Sequence, residues 1–211
     1  MTKTIPLTGQ GSPVKTTGEN SSRGRHSTGR ISKQQWLDAA LDLLVAGGVE
    51  AVRLVELAKS LNISKSGFYW HFESREKLLE EMKQYWINSF SRQIISDTLD
   101  SGDPIFEKLL MVVQMIREKQ AGKFDLAFAS WGARDPSVRS LVDDVRDMRI
   151  AFIKSLLEKE GFSGRDLEAR ARLFVVYFSW AEVTFQKAEN RLQGEPLEEI
   201  LRLISGARSR H

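Results

Sequence analysis

Residues 53–72 read RLVELAKSLNISKSGFYWHF. Leu54, Leu57, Ala58 and Leu61 recur at steps of three and four, which predicts a short helix with one apolar face. Asn62-Ile63 follows as a turn, since asparagine tolerates the left-handed backbone conformation. Ser64 is the expected N-cap of a second short helix. Two helices joined by a three- or four-residue turn make the helix-turn-helix plan, whose second helix lies in the major groove with its N-terminal residues facing base edges.

The residue types in this second helix suit that task. Lys65 and Ser66 stand at its exposed start, and Gly67 would let the backbone approach a duplex closely. Tyr69 and His71 carry groups that donate to phosphates, while Phe68 and Phe72 are expected to anchor the helix to its own domain. Trp70 fits either packing or the DNA face. Arg75 and Lys77 open the next helix, where a helix N-terminus also attracts phosphate. Phosphate contacts set the docking and base-edge contacts set the sequence read.

Outward from this core, every periodic segment reads as helix. Ser32 and Gln35 form a capping box, Ile31 can staple onto Trp36, and Trp36, Ala40, Leu43 and Leu44 mark one face before Gly47-Gly48 stops the helix. Ser74 caps a long fourth helix reaching about Leu99. Asp103-Pro104 opens a fifth, with Pro104 at the first helical position. The sixth covers about 123–132, and Asp135-Pro136 opens the seventh, with Val138, Leu141, Val145, Met148 and Phe152 at steps of three and four. Gly161 ends it. Ser163 caps an eighth reaching about Gln193, and Pro196 opens a ninth. The expected fold is all-α with about nine helices: an arm over 1–30, a three-helix helix-turn-helix domain over 31–80, and a helical bundle over 81–211.

Composition narrows the function classes. There is no cysteine, so disulfides and thiolate metal sites are excluded. His26, His71 and His211 show no metal-ligand spacing, and neither a metal nor a cofactor is expected. No stretch approaches the roughly 20 apolar residues of a membrane span. The chain reads as soluble and cytoplasmic, without a secretory leader. The net charge of +3 is uneven: residues 1–30 carry +4 and the rest carries −1. Overall charge is therefore no argument for nucleic acid. The Gly-, Ser- and Thr-rich arm is expected to be disordered, either a plain tail or a basic extension touching phosphate or the minor groove. Asp143-Asp144 and Glu198-Glu199 are paired carboxylates, but neighbours on a helix point to different faces, so an enzyme is not expected.

The run Ser64-Lys65-Ser66-Gly67-Phe68-Tyr69-Trp70-His71-Phe72-Glu73-Ser74-Arg75-Glu76-Lys77-Leu78-Leu79 resembles the signature of the TetR family of transcriptional regulators. The helix Trp36 to Leu44, Gly47-Gly48 and Leu57-Ala58 before Leu61 match the pattern around it. The resemblance covers about residues 31–80, and the later helical layout is family-like. It implies DNA contacts from Arg53 (where the family often has Thr or Ser), Lys65, Ser66, Gly67, Tyr69, Trp70, His71, Arg75 and Lys77.

The resemblance also implies a homodimer on a palindromic DNA operator and a small apolar ligand that lowers operator affinity. The last two helices would form the dimer contact, through Phe174, Phe178, Phe185, Leu197, Ile200, Leu201 and Ile204. Leu173 to Phe185 is apolar all round, as a helix buried on every side must be. Trp86, Phe90, Met111, Met115, Phe128, Trp131 and Tyr177 could line the ligand cavity or be ordinary core. Glu182 and Thr184 could mark a pocket wall or a wet edge. A DNA-binding protein without small-molecule induction is the alternative.

Overall fold

In a computed structural model of the chain, residues 31–184 and 195–206 are described. The expectations for the arm at 1–30 and for Phe185 lie outside them. Nine α-helices build the described part: α1 (Lys33–Gly47), α2 (Leu54–Ser60), α3 (Arg75–Ile87), α4 (Gln93–Asp100), α5 (Ile105–Glu118), α6 (Ala121–Gly132), α7 (Pro136–Glu158), α8 (Gly164–Thr184) and α9 (Glu195–Ser205). The all-α reading holds.

The helix ends follow from local chemistry. The Ser32 hydroxyl accepts from the Gln35 N–H while Gln35 Oε1 accepts from the Ser32 N–H, closing the expected capping box. Gly48 ends α1 at φ +71°, its N–H donating to Leu44 O at 2.9 Å, a left-handed cap that glycine adopts at no steric cost. Asp135 caps α7 by accepting from the Ser137 and Val138 N–H groups. Pro104 is the N-cap residue of α5, one position outside the helix rather than its first member.

Two expected helices differ. The one after the turn is a 3₁₀ segment, Lys65–Trp70, and Ser64 does not cap it; the Ser64 hydroxyl instead meets the Ser66 hydroxyl at 2.8 Å. The long fourth helix runs on from α3 to α4, but Asn88–Arg92 is a π turn. The extra residue in that turn shifts the helical phase, so α3 and α4 do not share one apolar stripe.

Trp36, Leu41, Leu57, Phe68 and Phe72 belong to the same buried cluster as Met82, Trp86, Phe124, Phe128 and Val138. The boundary expected near residue 80 is thus no break in the core: α1 and α3 pack against α6. A second buried cluster joins Ile94, Leu109, Ile153 and Leu157 to Phe174, Phe178, Leu197 and Leu201, and brings α4, α5, α7, α8 and α9 together. Among the described residues no helix is long and apolar enough to cross a membrane.

Candidate nucleic-acid interface and effector cavity

The turn after α2 sets the direction of the 3₁₀ segment. Asn62 lies at φ +53°, and the Ile63 N–H reaches back to Ala58 O at 2.9 Å. Phe68, 2% exposed, and Phe72 then insert beneath the segment. Phe68 meets Trp36 edge to face with ring centroids 5.6 Å apart and lies 5.3 Å from Phe72. Such aromatic packing fixes both the depth and the roll of the segment.

With Phe68 and Phe72 inward, Tyr69 and Trp70 turn out. Tyr69 is 65% and Trp70 74% exposed, and Lys65 and Ser66 are exposed beside them. Two large aromatics so exposed on a short segment are unusual for a surface with no partner. Arg53 and Lys77 are exposed as well, and Arg53 Nε donates to Glu50 O at 2.8 Å. Val55, 52% exposed in the first turn of α2, is an apolar group that sequence reasoning did not single out.

The remaining three expected contact residues, Gly67, His71 and Arg75, are half-buried. A Cβ built on Gly67 would lie 3.6 Å from the Trp36 ring, an ordinary contact distance, so α1 does not itself require glycine there. His71 Nε2 lies 2.9 Å from Ile31 O, tying the end of the segment to the start of α1. Arg75 Nε and one terminal nitrogen donate to Val52 O at 2.7 Å and Val49 O at 2.6 Å. These are ties within the chain: His71 holds the residue before α1, and Arg75 supplies donors to two carbonyls of the α1–α2 connection.

The second site is a small, partly open apolar pocket between α4 and α8, walled mainly by Phe90, Ile94, Val112, Phe152, Phe174 and Phe178. Its polar members are Ser91, Asp125, Arg149 and Ser179. Of the seven residues expected to line a cavity, only Phe90 lines this one. Trp86, Phe128 and Trp131 form a stack in the core, the first two with centroids 4.2 Å apart. Met115 and Tyr177 pack against the second cluster, and Met111 is half-buried without lining the cavity.

Asp125 and Arg149 escaped the sequence reading. Arg149 Nη1 lies 2.5 Å from Asp125 Oδ2 and Nη2 lies 3.1 Å from Oδ1; Nε donates to Ser91 Oγ at 2.9 Å, and Nη2 also reaches Phe90 O at 3.3 Å. Trp86 Nε1 donates to Asp125 Oδ1 at 3.0 Å. One signal was present: Arg149 stands four residues after Val145, and Asp125 three before Phe128, so both charges fall on apolar faces.

Phe174, Phe178, Leu197, Leu201 and Ile204 are buried in the chain's own core, and Ile200 is half-buried. The apolar side chains that α8 presents outward are Leu173, Val176 and Trp180, 58%, 54% and 40% exposed, with Leu203 exposed on α9.

Comparison with known proteins agrees with this layout. The family of bacterial regulatory proteins, tetR family, matches residues 37–82. The probable acrEF/envCD operon repressor of Escherichia coli K12 is 30% identical over 92 residues, and that match spans 40% of this chain and 40% of the repressor. Among solved structures, a TetR transcriptional regulator from Legionella pneumophila superposes with a TM-score of 0.65 at 17% identity, over 83% of this chain and 96% of its own. AibR in complex with isovaleryl coenzyme A and operator DNA does so with 0.59 at 18% identity, over 81% and 96%. At those identities the structures speak to the fold. Residues 37–82 are thus similar to the tetR family of bacterial regulatory proteins, and the chain spans less than half the length of the curated repressor it matches.

Proposed function

We propose that the protein is a sequence-specific transcriptional regulator that places Lys65–Trp70 in the major groove of an operator and represses by occupying it. The observation that carries this reading is the outward turn of Lys65, Ser66, Tyr69 and Trp70 over the buried Phe68 and Phe72. Lys65 and Ser66 stand at the N-terminal end of the segment, where base edges are read, and Tyr69 offers a donor to a phosphate. Arg53 and Lys77 flank them as cations for the backbone. The E. coli relative is named as an operon repressor, and AibR is named with operator DNA and an acyl coenzyme A. The first supports a repressor here, and the second supports operator binding together with a ligand.

The protein acts as a twofold dimer in this reading, because two segments about 34–36 Å apart read a palindrome. The outward row Leu173, Val176 and Trp180 of α8, with Leu203 of α9, supplies the apolar face that a second copy covers. The role is binding rather than catalysis, in the cytoplasm where the DNA is. A ligand in the cavity lowers operator affinity by binding the non-DNA state more tightly. The testing experiment is selection of bound DNA from a random pool with purified protein. A palindrome with fixed half-site spacing is the expected outcome, and recovery of sequences without a common motif would overturn the reading.

A further inference from the structure

Arg149 of α7 divides its donors between two partners. Two bonds go to Asp125 of α6, and two go to the π turn: Nε donates to Ser91 Oγ at 2.9 Å and Nη2 to Phe90 O at 3.3 Å. Asp125 also accepts from Nε1 of Trp86, in the last turn of α3, at 3.0 Å. Asp125 and Ser91 are buried, and the Arg149 side chain is only 17% exposed. One guanidinium and its carboxylate therefore tie both the end of α3 and the wide turn after it to α6 and α7.

The turn matters through phase. A π turn is rare, since it opens the helix by one residue. An α-helix advances about 100° and about 1.5 Å per residue, so the same residues in plain α geometry would rotate α4 by about 100° against α3. Neither helix is free to follow such a rotation. Leu78, Met82 and Trp86 of α3 lie in the buried cluster that holds Phe68 and Phe72, and Arg75 clamps the start of α3 to the α1–α2 connection. Ile94 of α4 lies in the other cluster, with Phe174 and Phe178 of α8. The turn between them sets how the DNA-reading unit is oriented against α8, the helix whose outer row is the proposed dimer contact.

We propose that Arg149 is a positioning residue for DNA reading. It holds Asn88–Arg92 in the wide form, with Asp125 aiming its fork, and so fixes the separation of the two reading segments in a dimer. This rests on reading the protein as a twofold dimer on a palindrome. Arginine suits the task because its planar fork grips a carboxylate with two nitrogens and still has N–H groups for other acceptors, a spread that a single lysine nitrogen does not offer.

The chain has no cysteine, so spin labels can be placed selectively. Full-length protein carrying Lys59→Cys on α2 and Ser96→Cys on α4, both exposed positions, is labelled and diluted with unlabelled chain, and the distance within one chain is read by pulsed electron resonance. In the Asp125→Asn, Arg149→Met background the amide still accepts from Trp86 and no buried charge is left alone. With helical content confirmed by circular dichroism, the distance is expected to shift by several ångströms, as rotation of a helix by about 100° moves a label on its surface. Deleting Asn88, the exposed first residue of the turn, from that background is expected to restore the wild-type distance, because a plain α-helix one residue shorter keeps the phase without a latch. An unshifted distance in the double variant, or a shift that the deletion does not reverse, overturns the proposal. Affinity for the palindrome is expected to fall at least about tenfold in the double variant while half-site affinity stays within about twofold, since only simultaneous engagement is lost. Equal losses on both DNAs, or no loss on either, overturn the link to DNA reading. If the wild-type protein selects no palindrome, the proposed function fails, and the label distances still decide whether Arg149 sets the phase.

Discussion

Arg75 Nε donates to the carbonyl of Val52 at 2.7 Å, across 23 residues of chain. A second donor of the same guanidinium reaches Val49 O, so one side chain satisfies two carbonyls of the α1–α2 connection. Position in sequence suggests a phosphate contact for Arg75; geometry makes it the clamp between α3 and the α1–α2 connection. Arg75→Met is expected to lower stability by about 2–3 kcal/mol, through the loss of two charge-assisted bonds to backbone carbonyls. Urea denaturation measures this, with an unchanged slope. A midpoint equal to wild type, together with weaker operator binding, would return Arg75 to the DNA face.

The neighbours Phe68 and Tyr69 should separate stability from binding. Phe68→Ala removes a fully buried ring between Trp36 and Phe72 and is expected to cost about 3–5 kcal/mol. Tyr69→Phe and Lys65→Ala change exposed groups, so stability should stay within about 0.5 kcal/mol. Their operator affinity should fall, and Lys65→Ala should also reduce the slope of log affinity against log salt by about one if it meets a phosphate. Fluorescence anisotropy on the selected operator reads both. Full affinity in both variants would remove these residues from the interface.

Asp135 makes the start of α7 sensitive to acid. The Ser137 hydroxyl, then the backbone N–H groups of Ser137 and Val138, hold its carboxyl below the ordinary aspartate value. A depressed folded value means stabilisation that is present above the unfolded value and lost as pH falls through the folded one. Asp135→Ala is therefore expected to melt at a lower temperature than wild type at pH 7, and the gap should shrink as pH falls below the ordinary aspartate range. Calorimetric scans between pH 7 and pH 3 check this, and a pH-independent gap would show that the charge contributes nothing.

Val176 tests the assembly. It is half-exposed on the outer face of α8 between Leu173 and Trp180, so Val176→Glu disturbs no contact of the chain's own core. It would place a charge in the proposed dimer contact. Sedimentation is expected to show monomers, with an unchanged circular dichroism spectrum and loss of palindrome binding. A variant that still sediments as a dimer would move the contact away from this face.

The legible parts of the fold were those governed by short-range chemistry. Ser32 with Gln35, Gly48, Asn62 and Asp135 sit where the expected caps and turns lie, because each acts within four residues of itself. The break at Asn88–Arg92 was not legible, since a π turn differs from an α turn by one residue and leaves the apolar spacing ambiguous. Phe174 and Phe178 show the same limit: a helix apolar on all sides does not say which side faces its own core.

The sequence by itself determined the all-helical class, the helix-turn-helix over 53–72 and its inward and outward residues around Phe68, because alternation on a short segment is a local property. The tertiary structure alone decided the partners of Arg75 and His71, the outward face of α8, and the meeting of Asp125 with Arg149 at a pocket wall. Those assignments depend on partners 23 to 40 residues away in the chain. Which long-range donor meets which acceptor, and which apolar face meets which, is settled only when the helices pack.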